Sequence, residues 1–125
     1  MVKYLTPAAL GLNAVTATTT SADISVEGAK KVSMRLTRAS HSAGSSTFTV
    51  TGSVDGVNFT ALNCIVTDVT NTNVQTTTRV ASVALSSNTS QLVSLDLTYF
   101  TLKAIRVVAT IATDGSASAA VSVQE

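Results

Sequence analysis

The fold class is decided by the stretch Thr47-Phe48-Thr49-Val50-Thr51-Gly52-Ser53-Val54-Asp55-Gly56-Val57-Asn58. Its even-numbered residues up to Val54 are apolar or Gly, and its odd-numbered residues are Thr or Ser. That period of two is typical of a β-strand with one buried face, so we predict an inward-facing Phe48, Val50, Gly52 and Val54. The Asp55-Gly56 pair predicts a tight turn, because Gly accepts a positive φ without steric cost. The segment 59–66 should then return as the hairpin partner.

The same alternation recurs on both sides of this hairpin. It predicts further strands near 24–27, 31–37, 80–85, 93–97, 105–111 and 117–124, separated by Gly, Asn, Asp and Ser turns, while 66–78 is predicted as a long polar loop. No segment of helical length has a period of 3.6 residues. About eight strands joined by turn residues predict an all-β fold, namely a single antiparallel β-sandwich that is jelly-roll-like, and Tyr99-Phe100 should plug one end of it.

The chain is predicted to form one domain, because 125 residues suffice for one core and not for two. Residues 22–125 make up the predicted sandwich domain. Residues 1–21 show neither period and end in a Thr-rich tract, so we predict an extended N-terminal arm or a lead-in strand. Such arms often dock on a neighbouring subunit or else fray. Lys3, Tyr4 and Leu5 are the candidate partner-binding residues of this segment.

The composition disfavours several classes of partner. Charged residues are 12% of the chain, against roughly 25% in a typical soluble domain, and the net charge is +1. A protein that binds nucleic acid through phosphates needs a concentrated basic surface, so no nucleic-acid partner is expected. There are five aromatic residues and no Trp, which disfavours stacking on bases or sugars. No run of 18 apolar residues predicts a transmembrane helix, and no membrane partner is expected.

The residues that could carry chemistry are few and scattered. With a single Cys and a single His, the chain cannot supply the ligands of a zinc site. Cys64 lies in an apolar run and is predicted to be a buried small hydrophobe. His41 lies in a Ser/Gly loop without a nucleophile-elbow motif. We therefore expect no catalytic residue, no metal, no cofactor and no enzymatic activity.

One cluster of basic residues stands out, comprising Lys30, Lys31, Arg35 and Arg38. Lys31 and Arg35 share the outward face of one predicted strand. Two interpretations stay open: a solvated strand face with lysines that guard an edge against mispairing, or a docking patch for an acidic partner surface. Lys31, Arg35 and Arg38 are accordingly further candidate partner-binding residues.

The stretch from Phe48 to Leu62 resembles a recurring hairpin of the form strand, Ser-x-Asp-Gly-x-Asn-aromatic, strand. It is similar to hairpins in discoidin-like and other jelly-roll sandwiches, including small structural proteins of tailed bacteriophages. The stretches Leu95–Phe100 and Ile105–Ala109 resemble the penultimate strands of those modules. In discoidin-like lectins the aromatic residue is usually Trp, whereas Phe59 stands here.

The resemblance implies a non-enzymatic structural protein of a phage virion, of the capsid decoration or auxiliary type. Its implied partners are the major capsid protein or another virion protein, together with sister copies in a homo-oligomer or lattice. Its implied location is the virion, assembled in the host cytoplasm. The alternative is a carbohydrate- or receptor-binding sandwich module of a phage tail or cell surface.

Overall fold

Alternating apolar residues form the long strands of the fold, as the sequence predicts. The computed structural model describes residues 2–68, 76–95, 97 and 101–125, with Asp68 by its backbone alone. These residues contain twelve strands and one short helix. They are β1 (Val2–Leu5), α1 (Pro7–Leu10), β2 (Thr19–Thr20), β3 (Ile24–Ser25), β4 (Lys31–Ala39), β5 (Ser46–Ser53), β6 (Thr60–Leu62), β7 (Cys64–Asp68), β8 (Thr76–Val80), β9 (Val83–Leu85), β10 (Thr89–Leu95), β11 (Ala104–Ile111) and β12 (Ser116–Gln124).

The strands form two antiparallel sheets that face each other as a sandwich, which confirms the predicted fold class. Sheet A has the order β1-β12-β4-β10-β7-β8. Sheet B is built on the pair β11–β5, with β2 and β3 along one edge and β6 and β9 along the other. The count is twelve strands rather than about eight, because β1, β2 and β8 begin in segments without a predicted alternating pattern and the predicted return strand 59–66 is divided into β6 and β7.

The core lies between the two sheets and consists of the inward residues of the alternating strands. Burying apolar side chains on one face of each sheet is the main stabilising term of such a sandwich. The predicted inward residues are buried, with 7% or less of their surface exposed, at the following positions: Ile24, Val26, Val32, Met34, Leu36, Phe48, Val50, Val83, Leu85, Val93, Leu95, Ile105, Val107, Ala109, Ala117, Ala119, Val121 and Val123.

Two predicted inward residues face solvent instead. Val54 is 74% exposed, because β5 ends at Ser53 and Val54 already belongs to the turn. Ala81 is exposed, because it lies in the bend before β9 begins at Val83. The prediction was wrong at both positions for one reason: alternation in the sequence continued past the end of the strand.

The predicted return strand 59–66 is divided between the two sheets. β6 pairs with β5 in sheet B, and β7 pairs with β10 in sheet A, so the chain changes sheets at Asn63. Cys64 begins β7 and is buried in the core, as predicted. Strands occupy both ends of the predicted loop 66–78, because β7 extends to Asp68 and β8 begins at Thr76, while residues 69–75 lie outside the described residues. The predicted plug Tyr99-Phe100 lies outside the described residues.

The N-terminal segment packs against the sandwich over most of its length. β1 pairs with β12 at one edge of sheet A, so residues 2–5 form an edge strand of that sheet. The short helix α1 follows, with the Thr6 hydroxyl accepting a hydrogen bond from the backbone N–H of Ala9. Leu10 and Leu12 are buried in the core, and the Leu12 carbonyl accepts a hydrogen bond from Ala119. The segment thus covers one side of the sandwich.

Replacing Leu12 with Ala should lower the free energy of unfolding by about 2–5 kcal/mol, because it leaves a cavity beside β12. Leu92→Ala serves as the control, since Leu92 is 72% exposed and an exposed truncation should change stability by less than about 0.5 kcal/mol. Urea unfolding of both variants measures the difference. Equal effects of the two substitutions would show that residues 1–21 lie apart from the core.

Candidate interaction surface

The outer face of sheet A carries three of the six predicted partner-binding residues. The pairing register aligns one residue from each of its six strands in a row across this face. Small Ser side chains occupy the middle of the row, and larger side chains occupy its ends. In order across the sheet, the row is Tyr4, Ser122, Ser33, Ser94, Ile65 and Arg79.

A second row next to it combines an apolar and a basic side chain. Leu92 of β10 lies directly opposite Arg35 of β4, and Arg35 lies opposite Ala120 of β12. Leu92 is 72% exposed, although Val93 beside it is buried. The sequence does contain a signal for this residue, because two adjacent apolar residues in a strand must point to opposite faces. Sequence reasoning named Val93 as the inward residue and missed Leu92.

A shallow depression lies beside Leu92. Its volume is about 840 Å³, and it is lined by β10 and β7 together with Ser33. Its lining includes the small polar side chains of Ser33 and Ser94 and the apolar side chains of Ile65 and Leu92. Such a combination of relief and exposed apolar surface can receive a protruding side chain of another protein.

The six predicted partner-binding residues separate into four groups. Tyr4, Lys31 and Arg35 are exposed and lie on the outer face of sheet A. Lys3 is also exposed, but it lies opposite the buried Val123. Its side chain is therefore on the inner face of sheet A, at the edge strand. Leu5 is half-buried and packs against the core. The sixth residue, Arg38, is buried.

The prediction of Arg38 as a partner-binding residue is corrected by its burial. It is 1% exposed, because positions 32, 34, 36 and 38 of β4 all face inward. One terminal nitrogen of its guanidinium donates to the carbonyls of Gly44 (2.7 Å) and Leu85 (3.0 Å). The other donates to the carbonyls of Ala43 (2.8 Å) and Asp114 (2.9 Å). Arg38 is therefore committed to the interior and cannot contact a partner.

Asp114 completes this cluster from the loop between β11 and β12. Its carboxylate accepts hydrogen bonds from the backbone N–H groups of Ser42 (3.1 Å) and Ala43 (3.2 Å) and from the Ser42 hydroxyl. These bonds, with a smaller contribution from the charge of Arg38, lower the pKa of Asp114 to about 2. The carboxylate thus fixes the loop that carries the carbonyls bound by Arg38.

His41, the single histidine of the chain, belongs to the same cluster. Its backbone N–H donates to the side-chain oxygen of Asn88, at 2.9 Å. Gly115 lies directly beside it with a φ of +93°, and a Cβ at Gly115 would lie 3.1 Å from both the His41 Cβ and the Arg38 Nε. The described contacts of His41 therefore serve to join the loops at this end of the sandwich.

The opposite end carries the predicted turn after β5. The Asp55 carboxylate accepts hydrogen bonds from the backbone N–H groups of Val57 and Asn58, both at 2.8 Å, and from the Asn58 amide. Together these bonds hold the pKa of Asp55 well below its usual range, and the bonds from the Asn58 and Val57 backbone contribute most. The turn is thereby closed, which confirms the turn prediction at Asp55-Gly56.

One ring face of Phe59, the aromatic residue of the hairpin motif, is covered by a cation. The guanidinium carbon of Arg106 lies 3.8 Å from the centroid of the ring, and Arg106 is also paired with Asp23. A sugar would have to displace this cation to stack on that face. The arrangement therefore disfavours Phe59 as a platform for carbohydrate.

The part of the chain that the structure describes was searched for metal-binding clusters and for membrane-spanning helices. It contains no group of three His, Cys, Asp or Glu side chains placed to hold a metal ion. None of its helices is long and apolar enough to cross a membrane.

The fold defines the class of this protein as a two-sheet antiparallel β-sandwich. The chain is similar to the crystal structure of the SPBc2 prophage-derived protein YomS, with a TM-score of 0.65 and 10% sequence identity, over 98% of this chain and 92% of that one. At this identity the likeness shows the shared fold. No protein-family model matches the sequence, and no curated protein matches it significantly.

The Asp114 cluster predicts a defined dependence of stability on pH. The folded-state pKa of about 2 lies below the ordinary value of 3.8, so the stabilisation by Asp114 is present above pH 4 and is lost as the pH falls towards 2. Asp114→Asn removes the titrating group. The difference in urea midpoint between the natural chain and this variant should therefore shrink between pH 5 and pH 2.

Ser42→Ala supplies a second variant for the same measurement. It removes one donor to the carboxylate, so acid should destabilise this variant at a higher pH than the natural chain. A difference between the natural chain and Asp114→Asn that stays constant from pH 5 to pH 2 would contradict the assignment.

Proposed function

We propose that this chain is a non-enzymatic structural protein of a phage particle, of the kind that decorates or accompanies the capsid. The likeness of nearly the whole chain to a prophage-derived protein is the observation that carries the proposal. The outer face of sheet A adds a surface suited to protein contact, since it exposes Tyr4, Leu92 and Arg35 together.

The physical properties of the sandwich suit such a role. Antiparallel sheets with a continuous apolar core form a rigid body, and the end loops are tied by the contacts of Arg38 and Asp114. A rigid unit loses little conformational entropy when it docks. Repeated over a symmetric shell, contacts that are individually weak can hold many copies in place.

The alternative is a carbohydrate- or receptor-binding module of a tail or cell surface. The coverage of Phe59 by Arg106 makes it the weaker candidate. Binding of the purified chain to a glycan array would favour it, particularly if Tyr4→Ala abolished the signal, because Tyr4 is an exposed aromatic residue.

The proposal predicts that the chain is a component of purified particles. Particles would be prepared from a host that carries the phage or prophage genome encoding the chain, and from a matched strain in which this gene is deleted. Mass spectrometry of gradient-purified particles should detect the chain in the first preparation at many copies per particle. The purified chain should also rebind to particles that lack it.

Detection of the chain in the host lysate but not in the particles, without rebinding, would contradict the proposal. Loss of particle assembly in the deletion strain would instead indicate a core structural component rather than a decoration protein.

A further inference from the structure

The charged residues of the described chain are distributed unevenly over the sandwich. Lys31, Arg35 and Arg79 stand at exposed outward positions of sheet A. The acidic side chains that the structure describes lie elsewhere: Asp23 on the side of sheet B, Glu27 and Asp55 in turns, Asp114 in the Arg38 cluster and Glu125 after the end of β12. Lys31 and Arg35 therefore give this face two exposed cations. The carboxylates named above lie off the face, while the side chains of Asp68 and Asp96 fall outside the described residues.

An exposed apolar centre accompanies these cations. Leu92 lies directly opposite Arg35, and the half-buried Ile65 lines the same depression. Exposed apolar side chains surrounded by polar and charged ones are the usual composition of a protein-binding patch. The pairing of Arg35 with Leu92 places the charge within reach of any group that contacts the leucine.

The area of the outer face of sheet A is close to the area that one partner buries in a standard interface. Six strands at about 4.8 Å spacing make it about 25 Å wide. With strands of four to nine residues, its area is roughly 600 Å², and a standard interface buries about 800 Å² on each partner. One partner domain could therefore cover it.

The charge distribution distinguishes between two kinds of occupant. A second copy docked through the same face by a twofold axis centred on Leu92 would bring Arg35 close to its own equivalent, and like charges that are desolvated together oppose association. A partner with carboxylates around an apolar side chain would instead match both features. Two or three cations are also fewer than the 6–10 phosphate contacts of a tight DNA-binding surface.

We propose that the outer face of sheet A docks on an acidic protein surface, with Leu92 in contact with an apolar side chain of the partner and Arg35 and Lys31 paired with its carboxylates. The inference rests on the proposed function in one respect, because the partner surface is expected on the phage particle. It deepens that function by naming the face and the chemistry of the contact.

The test measures binding of the purified natural chain and its variants to particles from the deletion strain. Arg35→Glu and Leu92→Thr should each weaken binding by about tenfold or more, the first by reversing a paired charge and the second by removing the apolar contact. Leu92→Thr introduces a β-branched residue, which suits a strand, so β10 should stay folded. Binding by the natural chain should also weaken when NaCl is raised from 0.05 to 0.3 M, as screening requires.

Matched controls lie outside the face. Lys103→Glu makes the same change of charge as Arg35→Glu, and Val57→Thr makes the same kind of apolar-to-hydroxyl change as Leu92→Thr at a 76% exposed position. Both controls should bind like the natural chain. Urea midpoints of all four variants verify that each is folded.

The possible outcomes separate the two proposals. Binding by the natural chain that neither Arg35→Glu nor Leu92→Thr reduces would overturn this inference and leave the proposed function standing. Failure of the natural chain to bind would overturn the proposed function and this inference with it. Self-association that is lost in Leu92→Thr, or binding of a DNA duplex that is lost in Arg35→Glu, would also overturn the acidic-protein assignment.

Discussion

The contact between the Arg38 guanidinium and four backbone carbonyls is the interaction on which the order of one end of the sandwich depends. It joins the loop after β4, the end of β9 and the loop before β12 to a single buried cation. A buried charge is costly unless hydrogen bonds satisfy it. Each of these loops is therefore held in the position that satisfies the two terminal nitrogens of the guanidinium, and Asp114 supports the arrangement from the solvent side.

The same strand that buries Arg38 presents Arg35 to solvent. Because side chains alternate along a strand, the two residues must lie on opposite faces of sheet A. The inward arginine stabilises the fold, and the outward one is the centre of the proposed docking face. The uneven charge of the described surface thus follows from the register of β4, which pairs on both sides with long strands and has little freedom to shift.

The sequence was sufficient to predict the long strands and most of their inward residues, because burial on one face leaves a period of two that is visible over eight or nine residues. It could not predict the sheet change at Asn63, since a single residue carries no periodic signal. Nor could it predict that Leu10 and Leu12 are buried, because each makes a separate contact without a repeating pattern around it. Arg38 illustrates a different difficulty: its parity in β4 indicated an inward position, but a buried arginine needs carbonyl partners from loops that are distant in sequence.

The division of the two arginines of β4 into an interior and a surface role is tested most directly by unfolding a matched pair of variants, Arg38→Met and Arg35→Met. Both make the same chemical change three residues apart on one strand. Arg38→Met should lower the free energy of urea unfolding by about 3–5 kcal/mol, because it leaves buried carbonyls without donors, whereas Arg35→Met should change it by less than about 0.5 kcal/mol. Equal losses in the two variants, or a larger loss in Arg35→Met, would contradict the account.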